Sequence, residues 1–154
     1  MVMETQIREA TAADLPELLA FEQGVVEAER PYDSSLKSGA VHYYDIAKLI
    51  ANSDSLILVA ENAGQLVGTG HATLKRSKDQ LDHDRHAYLG LMYVEPSHRG
   101  QGIIQRIIDE LLVWSRGEGV TDFFLDVYTE NESAVRAYEK FGFRPHMLEM
   151  KLRD

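Results

Sequence analysis

The 154-residue sequence contains no cysteine, which excludes a disulfide framework, thiolate metal ligation and a cysteine nucleophile. It has no apolar run approaching the ~20 residues that a membrane-spanning helix needs. The opening stretch MVMETQIREATAADL has no apolar leader core either. Together these absences predict a soluble cytoplasmic protein. Basic residues are scarce, with 16 Lys and Arg against 25 Asp and Glu and a formal net charge of -9. That sign opposes attraction to phosphate backbones and anionic membranes. Neither a nucleic acid nor a membrane is therefore expected as a partner, and a cationic small substrate is favoured. Repeats and low-complexity tracts are also missing. What remains, 44% hydrophobic and 27% charged, has the proportions of one globular domain over residues 1–154.

Periodicity predicts a strand from Gln6 to Ala10, then a helix starting near Asp14 with Leu15, Leu18, Leu19 and Phe21 on its apolar side and Thr11 or Asp14 as cap. The stretch RPYDSSLKSGA reads as a loop, and Val41, Tyr44, Ile46, Leu49 and Ile50 are spaced as a second helix. Two β-rich runs flank a somewhat extended turn near Asn62 to Gln65, which predicts a hairpin. AYLGLMYVEP reads as a buried strand stopped by Pro96. Ile103, Ile104, Ile107, Ile108, Leu111 and Leu112 then mark a helix closed at Gly117 or Gly119. VTDFFLDVYTE is a further strand, NESAVRAYEKFGF a short helix ended by Gly142, and FRPHMLEMKL one or two terminal strand segments. The late strand-helix-strand unit, Ala87 to Tyr128, is expected to be parallel and right-handed.

SHRGQGIIQRII places two glycines and Arg99 where a strand turns into a helix. The first N–H groups of a helix have no intrahelical partner and carry partial positive charge, so an anion fits there. Glycine lets the backbone approach it closely. Relief of a tight turn is the competing explanation. The third glycine of a dinucleotide fingerprint is missing, as is the Gly-Lys-Ser/Thr of a P-loop.

At Arg99-Gly100-Gln101-Gly102-Ile103-Ile104 the chain resembles the GNAT superfamily of N-acetyltransferases, whose pattern Arg/Gln-x-x-Gly-x-Gly/Ala opens a helix after a strand. Ile104 departs from it, standing where the family has a small residue. NESAVRAYEKFGF is similar to the family's Asn-x-x-Ala-x-x-x-Tyr-x-x-x-Gly-Phe signature, and it puts Asn131, Ala134 and Tyr138 on one helical face. The resemblance covers essentially the whole chain. It implies an α/β fold with a mostly antiparallel mixed sheet, a splayed parallel strand pair (Ala87 to Val94 and Phe123 to Tyr128) and flanking helices.

The resemblance further implies acetyl-CoA as cosubstrate. The backbone of Met92, Tyr93 and Val94 pairs with its pantetheine arm, and the N–H groups of Gly100, Gln101, Gly102, Ile103, Ile104 and Gln105 hold the pyrophosphate beside Arg99. Asn131 bonds the arm, and Ala134 leaves it room. An amine attacks the thioester directly, Tyr138 meets the departing thiolate, and Asp126 is the first choice of base, with His86 and Glu95 behind it. A lysine-like amine needs such a base, because losing its proton at pH 7 costs ~4.6 kcal/mol against about 1.4 for an α-amine. A small-molecule primary amine is the expected acceptor, with a protein N-terminus or lysine, or a noncatalytic acyl-CoA sensor, as alternatives. Glu27, Glu29, Tyr32 and Asp33 fall where the acceptor segment begins. His71, His83, His86 and His98 lack metal-ligand spacing, so no metal is expected. A homodimer using HMLEMKL is possible within the family.

Overall fold

The computed structural model of the protein describes residues 4–154, so the first three residues of the leader reading lie outside it. The chain runs β1 (Gln6–Glu9), α1 (Leu15–Glu29), α2 (Ile46–Ala51), β2 (Ser55–Asn62), β3 (Gln65–Arg76), β4 (Arg85–Val94), α3 (Ile103–Gly117), β5 (Phe123–Phe124) and α4 (Glu132–Glu139). The five strands form one sheet in sequence order. β1 to β4 pair antiparallel, and β4 and β5 pair parallel, which is the mixed α/β sheet read from the sequence.

Each face of the sheet carries its own core. On one face, Ile103, Ile107, Ile108, Leu111 and Leu112 of α3 pack with Leu58, Val67, Ala72 and Leu89, the helical spacing that the sequence displays. On the other, Leu18 and Phe21 of α1 and Ile46 of α2 pack with Ile57, Val59 and Leu91. Arg8 of β1 fixes the entry to α1 with a two-pronged bond to Asp14, Nη1 to Oδ2 at 2.9 Å and Nη2 to Oδ1 at 3.0 Å.

Four expectations are corrected. Residues 41 to 44 are not helical, because their polar groups are tied to α1 instead. The N–H groups of Tyr43 and Tyr44 donate to the fully buried Glu22 carboxylate at 3.0 and 3.1 Å, so α2 starts only at Ile46, capped by Asp45. The β2–β3 turn is a tight pair, Ala63 and Gly64, both at positive φ (50 and 78°), as a type I′ hairpin requires.

β5 is two residues long rather than extending to Tyr128. It pairs with β4 only at Ala87↔Phe123 and Tyr88↔Phe124, after which the two chains diverge. Residues 144–154 form no strand. Met147 and Met150 are more than four-fifths exposed, and the segment is held by the His146 ring against Phe124, centroids 5.9 Å apart, and by Lys151 bonded to Ser35. Apolar alternation such as MLEMKL records the pleat of a strand but not whether a neighbouring edge exists to pair with.

Candidate active site

The divergence of β4 from β5 opens a cleft of about 640 Å³ between α1, α3 and α4. Its β4 wall is shaped by a bulge. Thr69 pairs with Tyr93 but His71 pairs with Gly90, so Leu91 and Met92 stand opposite Gly70 alone. Leu91 takes up the extra length in the left-handed region, φ 55°. Met92 of the bulge and Tyr93 and Val94 beyond it line the cleft.

At one end of the cleft lies the glycine turn. Gly100 and Gly102 have φ 76 and 79°, the left-handed region that side chains disfavour, and Gly102 is the residue from which α3 starts. Among the described residues, the N–H groups of Gly100 to Gln105 have no hydrogen-bond acceptor; the first amide of the helix with one is Arg106, bonded to Gly102 O at 3.1 Å. These unpaired donors at a helix start make an anion site. Arg99 Nε donates to Val94 O at 2.8 Å, which holds the guanidinium at the cleft wall, 5.7 Å from the Tyr93 ring centroid. Ile104 lines the cleft and packs against the α3 core. Gln101 is exposed, and its side chain lies outside the cleft lining.

On the α4 side, Asn131, Ala134 and Tyr138 all face the cleft. Asn131 Oδ1 accepts the Ala134 N–H at 3.4 Å and so caps α4, leaving its amide protons to serve a ligand. The Tyr138 ring packs edge-on against Phe143, centroids 6.2 Å apart. Burial, and after it the negative charge of Glu29, push the Tyr138 hydroxyl up to about 12.

The other end of the cleft is acidic. Glu29, Tyr32, Asp126 and Tyr128 line it, whereas His98 and Arg99 belong to the end with the glycine turn. Burial raises the Glu29 pKa, opposed by the hydrogen bond its carboxylate accepts from Tyr43 Oη at 2.8 Å. The Tyr32 and Tyr128 rings stack at 6.1 Å, and Tyr128 Oη donates to Asp33 at 3.0 Å. Asp33 thus stands behind Tyr128, outside the lining, and Glu27 is turned to Arg30 at 2.7 Å. Of the three base candidates only Asp126 lines the cleft. His86 instead meets Ser77 Oγ at 3.0 Å and stands edge-on to Phe124, and Glu95 lies outside the lining. No group of three or more His, Asp or Glu among the described residues is arranged to hold a metal ion.

Sequence reasoning missed the tyrosines beneath the cleft. Tyr88 of β4 donates to Asp126 Oδ2 at 3.0 Å, and Tyr44, ahead of α2, packs edge-on against His71; no local spacing announces either meeting.

Residues 18–143 match the model of the acetyltransferase (GNAT) family. The chain belongs to that family. Over 100 residues the chain is 32% identical to N-acetyltransferase 8F1 of Rattus norvegicus, covering 65% of the present chain and 44% of the relative; it therefore spans less than half the length of that protein. Its fold is similar to that of the tetramutant of BH1408 protein from Bacillus halodurans, with a TM-score of 0.81, 23% identity and 96% and 99% of the two chains covered. It is also similar to a predicted acetyltransferase with acetyl-CoA from Clostridium acetobutylicum, with a TM-score of 0.73, 20% identity and 97% and 96% covered. Among the described residues, no helix is long and apolar enough to cross a membrane.

Proposed function

We propose that residues 1–154 act as one domain that transfers the acetyl group of acetyl-CoA to the primary amine of a small molecule, by direct attack in a ternary complex. The observation that carries this reading is the row of unpartnered amides from Gly100 to Gln105, opening onto the same cleft as Tyr138 and Asp126. In this reading those amides and Arg99 hold the pyrophosphate, the backbone of Met92 to Val94 pairs with the pantetheine arm, and a backbone N–H there stabilises the oxyanion. Asn131 donates to the arm. Ala134 leaves it room.

Asp126 takes the proton of the attacking amine, and Tyr138 meets the sulfur that leaves. With the phenol near 12 and a thiol near 8.5, complete transfer of the Tyr138 proton is uphill by about 5 kcal/mol. Tyr138 therefore acts as a hydrogen-bond donor to the departing thiolate, which leaves the cleft still charged or takes its proton from water. Glu29 and Tyr32 favour a cationic amine at the acceptor end, as does the rarity of basic side chains there.

The test is coenzyme binding by calorimetry followed by thiol release across a panel of small amines, an N-terminal peptide and a lysine peptide. Acceptor-dependent release with a small amine is the expected result. Release only with the peptides transfers the reading to protein acetylation, binding without any release makes the protein a sensor, and absence of binding ends the reading altogether.

A further inference from the structure

The C-terminal segment reaches the acceptor end of the cleft without lining it. Its apolar side chains, Met147, Leu148, Met150 and Leu152, are exposed, so hydrophobic burial does not hold it in place. The His146 ring on Phe124 holds one end of it, and Lys151 holds the other. Lys151 Nζ donates to Ser35 Oγ at 2.6 Å and lies 3.7 Å from Asp33 Oδ1. The Ser35 hydroxyl donates in turn to Asp33 Oδ1, joined there by the Ser35 N–H at 3.0 Å. On its other oxygen the same carboxylate accepts the Tyr128 hydroxyl at 3.0 Å. An ammonium only donates and a carboxylate only accepts, so the directions are fixed. Lys151 donates to Ser35, Ser35 to Asp33, and Tyr128 to Asp33 from the opposite side.

Among these residues only Tyr128 lines the cleft. It lies past the end of β5, where pairing with β4 has stopped, so the sheet does not fix its position. Its ring stacks on Tyr32 at 6.1 Å and 26°, and Tyr32 is the last residue of the helical turn Arg30–Tyr32, directly before Asp33. Together the two rings make a wall of the acceptor end beside Glu29. Asp33 holds that wall twice, through the backbone to Tyr32 and through its carboxylate to Tyr128. Arg30 secures the later part of the loop, its guanidinium donating to Lys37 O and Gly39 O at 2.7 and 2.6 Å. The turn at Asp33 and Ser35 is secured by Lys151.

We infer that Lys151 is a positioning residue for the acceptor amine. It locks Ser35 onto Asp33 and through them keeps Tyr128 against Tyr32, so a segment outside the cleft sets the shape of the wall that the amine meets. Asp33, occupied by these bonds, supports the wall and leaves recognition of the cation to Glu29. The inference rests on the proposed transfer to a small amine. Two effects of Lys151 on that amine have opposite signs. As a positive charge at the acidic end it repels a cation, so its loss as a charge alone would lower the KM. As a clamp, its loss raises the KM.

The test is the KM of the small amine accepted in the panel above, measured in Lys151→Met, Lys151→Arg, Tyr128→Phe and the Lys151→Met, Tyr128→Phe double variant. Lys151→Met is expected to raise that KM about 3- to 10-fold, with kcat and the Kd for acetyl-CoA within about twofold of wild type. Lys151→Arg, which keeps the charge and the donors, is expected to stay within about twofold throughout. Lys151→Met is expected to add nothing once Tyr128 is phenylalanine. The Lys151 side chain is more than half exposed, so the melting temperature of both Lys151 variants should match wild type. A KM that is unchanged or lower in Lys151→Met, an equal rise in Lys151→Arg, or as large a rise in the Tyr128→Phe background as in wild type overturns the positioning role and leaves the proposed reaction standing. A wild-type protein that gives no acceptor-dependent thiol release with any small amine overturns both.

Discussion

At the scale of single residues, two groups carry predictions of opposite kind. Tyr138 is the residue proposed to meet the departing thiolate: it lines the cleft, and burial keeps its hydroxyl protonated far above neutral pH. A hydrogen bond to a charged partner is worth about 1.5–3 kcal/mol. Tyr138→Phe should therefore lower kcat by about 10- to 100-fold while the Kd for acetyl-CoA stays within about twofold; unchanged turnover in steady-state assays would remove the role. Asp14 is structural. The Arg8 guanidinium beside it, bonded to both oxygens, holds its carboxyl down at about 2 against an ordinary 3.8. A depressed carboxyl stabilises the fold above its unfolded pKa and stops doing so as pH falls through the folded one. That contribution is therefore complete above about pH 4 and lost toward pH 2. Arg8 is partly exposed, which reduces it to about 1–2 kcal/mol. Urea unfolding of Asp14→Asn should show that deficit at pH 6 and almost none at pH 2, and a deficit equal at both pH values would refute the linkage. Of these two residues the sequence announced Tyr138, whose spacing from Asn131 is local to one helix. The sequence suggested Asp14 only as a cap, because its true partner arrives from β1.

At the scale of elements, the turn into α3 is where local sequence and geometry agree most closely. Gly100 and Gly102 stand in the left-handed region in open space, the nearest atom to a Cβ on Gly102 being Gln105 Oε1 at 4.0 Å. Glycine is required there for its backbone and not for its lack of bulk. Gly102→Ala should accordingly cost about 1–2 kcal/mol of stability and raise the Kd for acetyl-CoA several-fold, leaving kcat at saturation nearly intact. Calorimetry and melting curves would check this, and a variant with native affinity would show that the amides need no such turn. This element was legible because a glycine pattern encodes φ directly. The bulge in β4 was not: nothing in AYLGLMYVEP marks Leu91 for φ 55°, which accompanies the shift of register against β3. The helical expectation for residues 41 to 44 failed for a related reason. Its apolar spacing is real, but the buried Glu22 carboxylate draws the Tyr43 and Tyr44 amides away from any helix, and a contact between residues about 20 apart leaves no period to read.

At the scale of the whole molecule, the two cores follow from patterns that the sequence displays, since alternation and helical stripes say which face is buried, and the mixed sheet agrees with what the family resemblance implied. What escaped it was the extent of pairing at the far edge. β5 stops at Phe124 because β4 has already turned away, and the same divergence creates the cleft. Charge was legible from the start, and it acts over the entire surface. With a net charge of -9, the field favours the approach of a cation such as the proposed amine and opposes that of a polyanion such as the proposed coenzyme, except where the Gly100 to Gln105 amides and Arg99 reverse the sign at short range. The screening length falls from about 30 Å at 0.01 M salt to about 10 Å at 0.1 M, so added salt should remove the long-range part and spare the short-range one. Between these two concentrations the KM for the amine is expected to rise several-fold, while the Kd for acetyl-CoA stays constant or falls. The two trends must differ in sign or size, because a general salt effect on stability would shift both alike. Initial rates and calorimetry across that range provide the measurement. An amine KM that is flat or falls with salt would mean that the acceptor is not recognised as a cation, leaving Glu29 and the acidic end of the cleft without the role assigned to them.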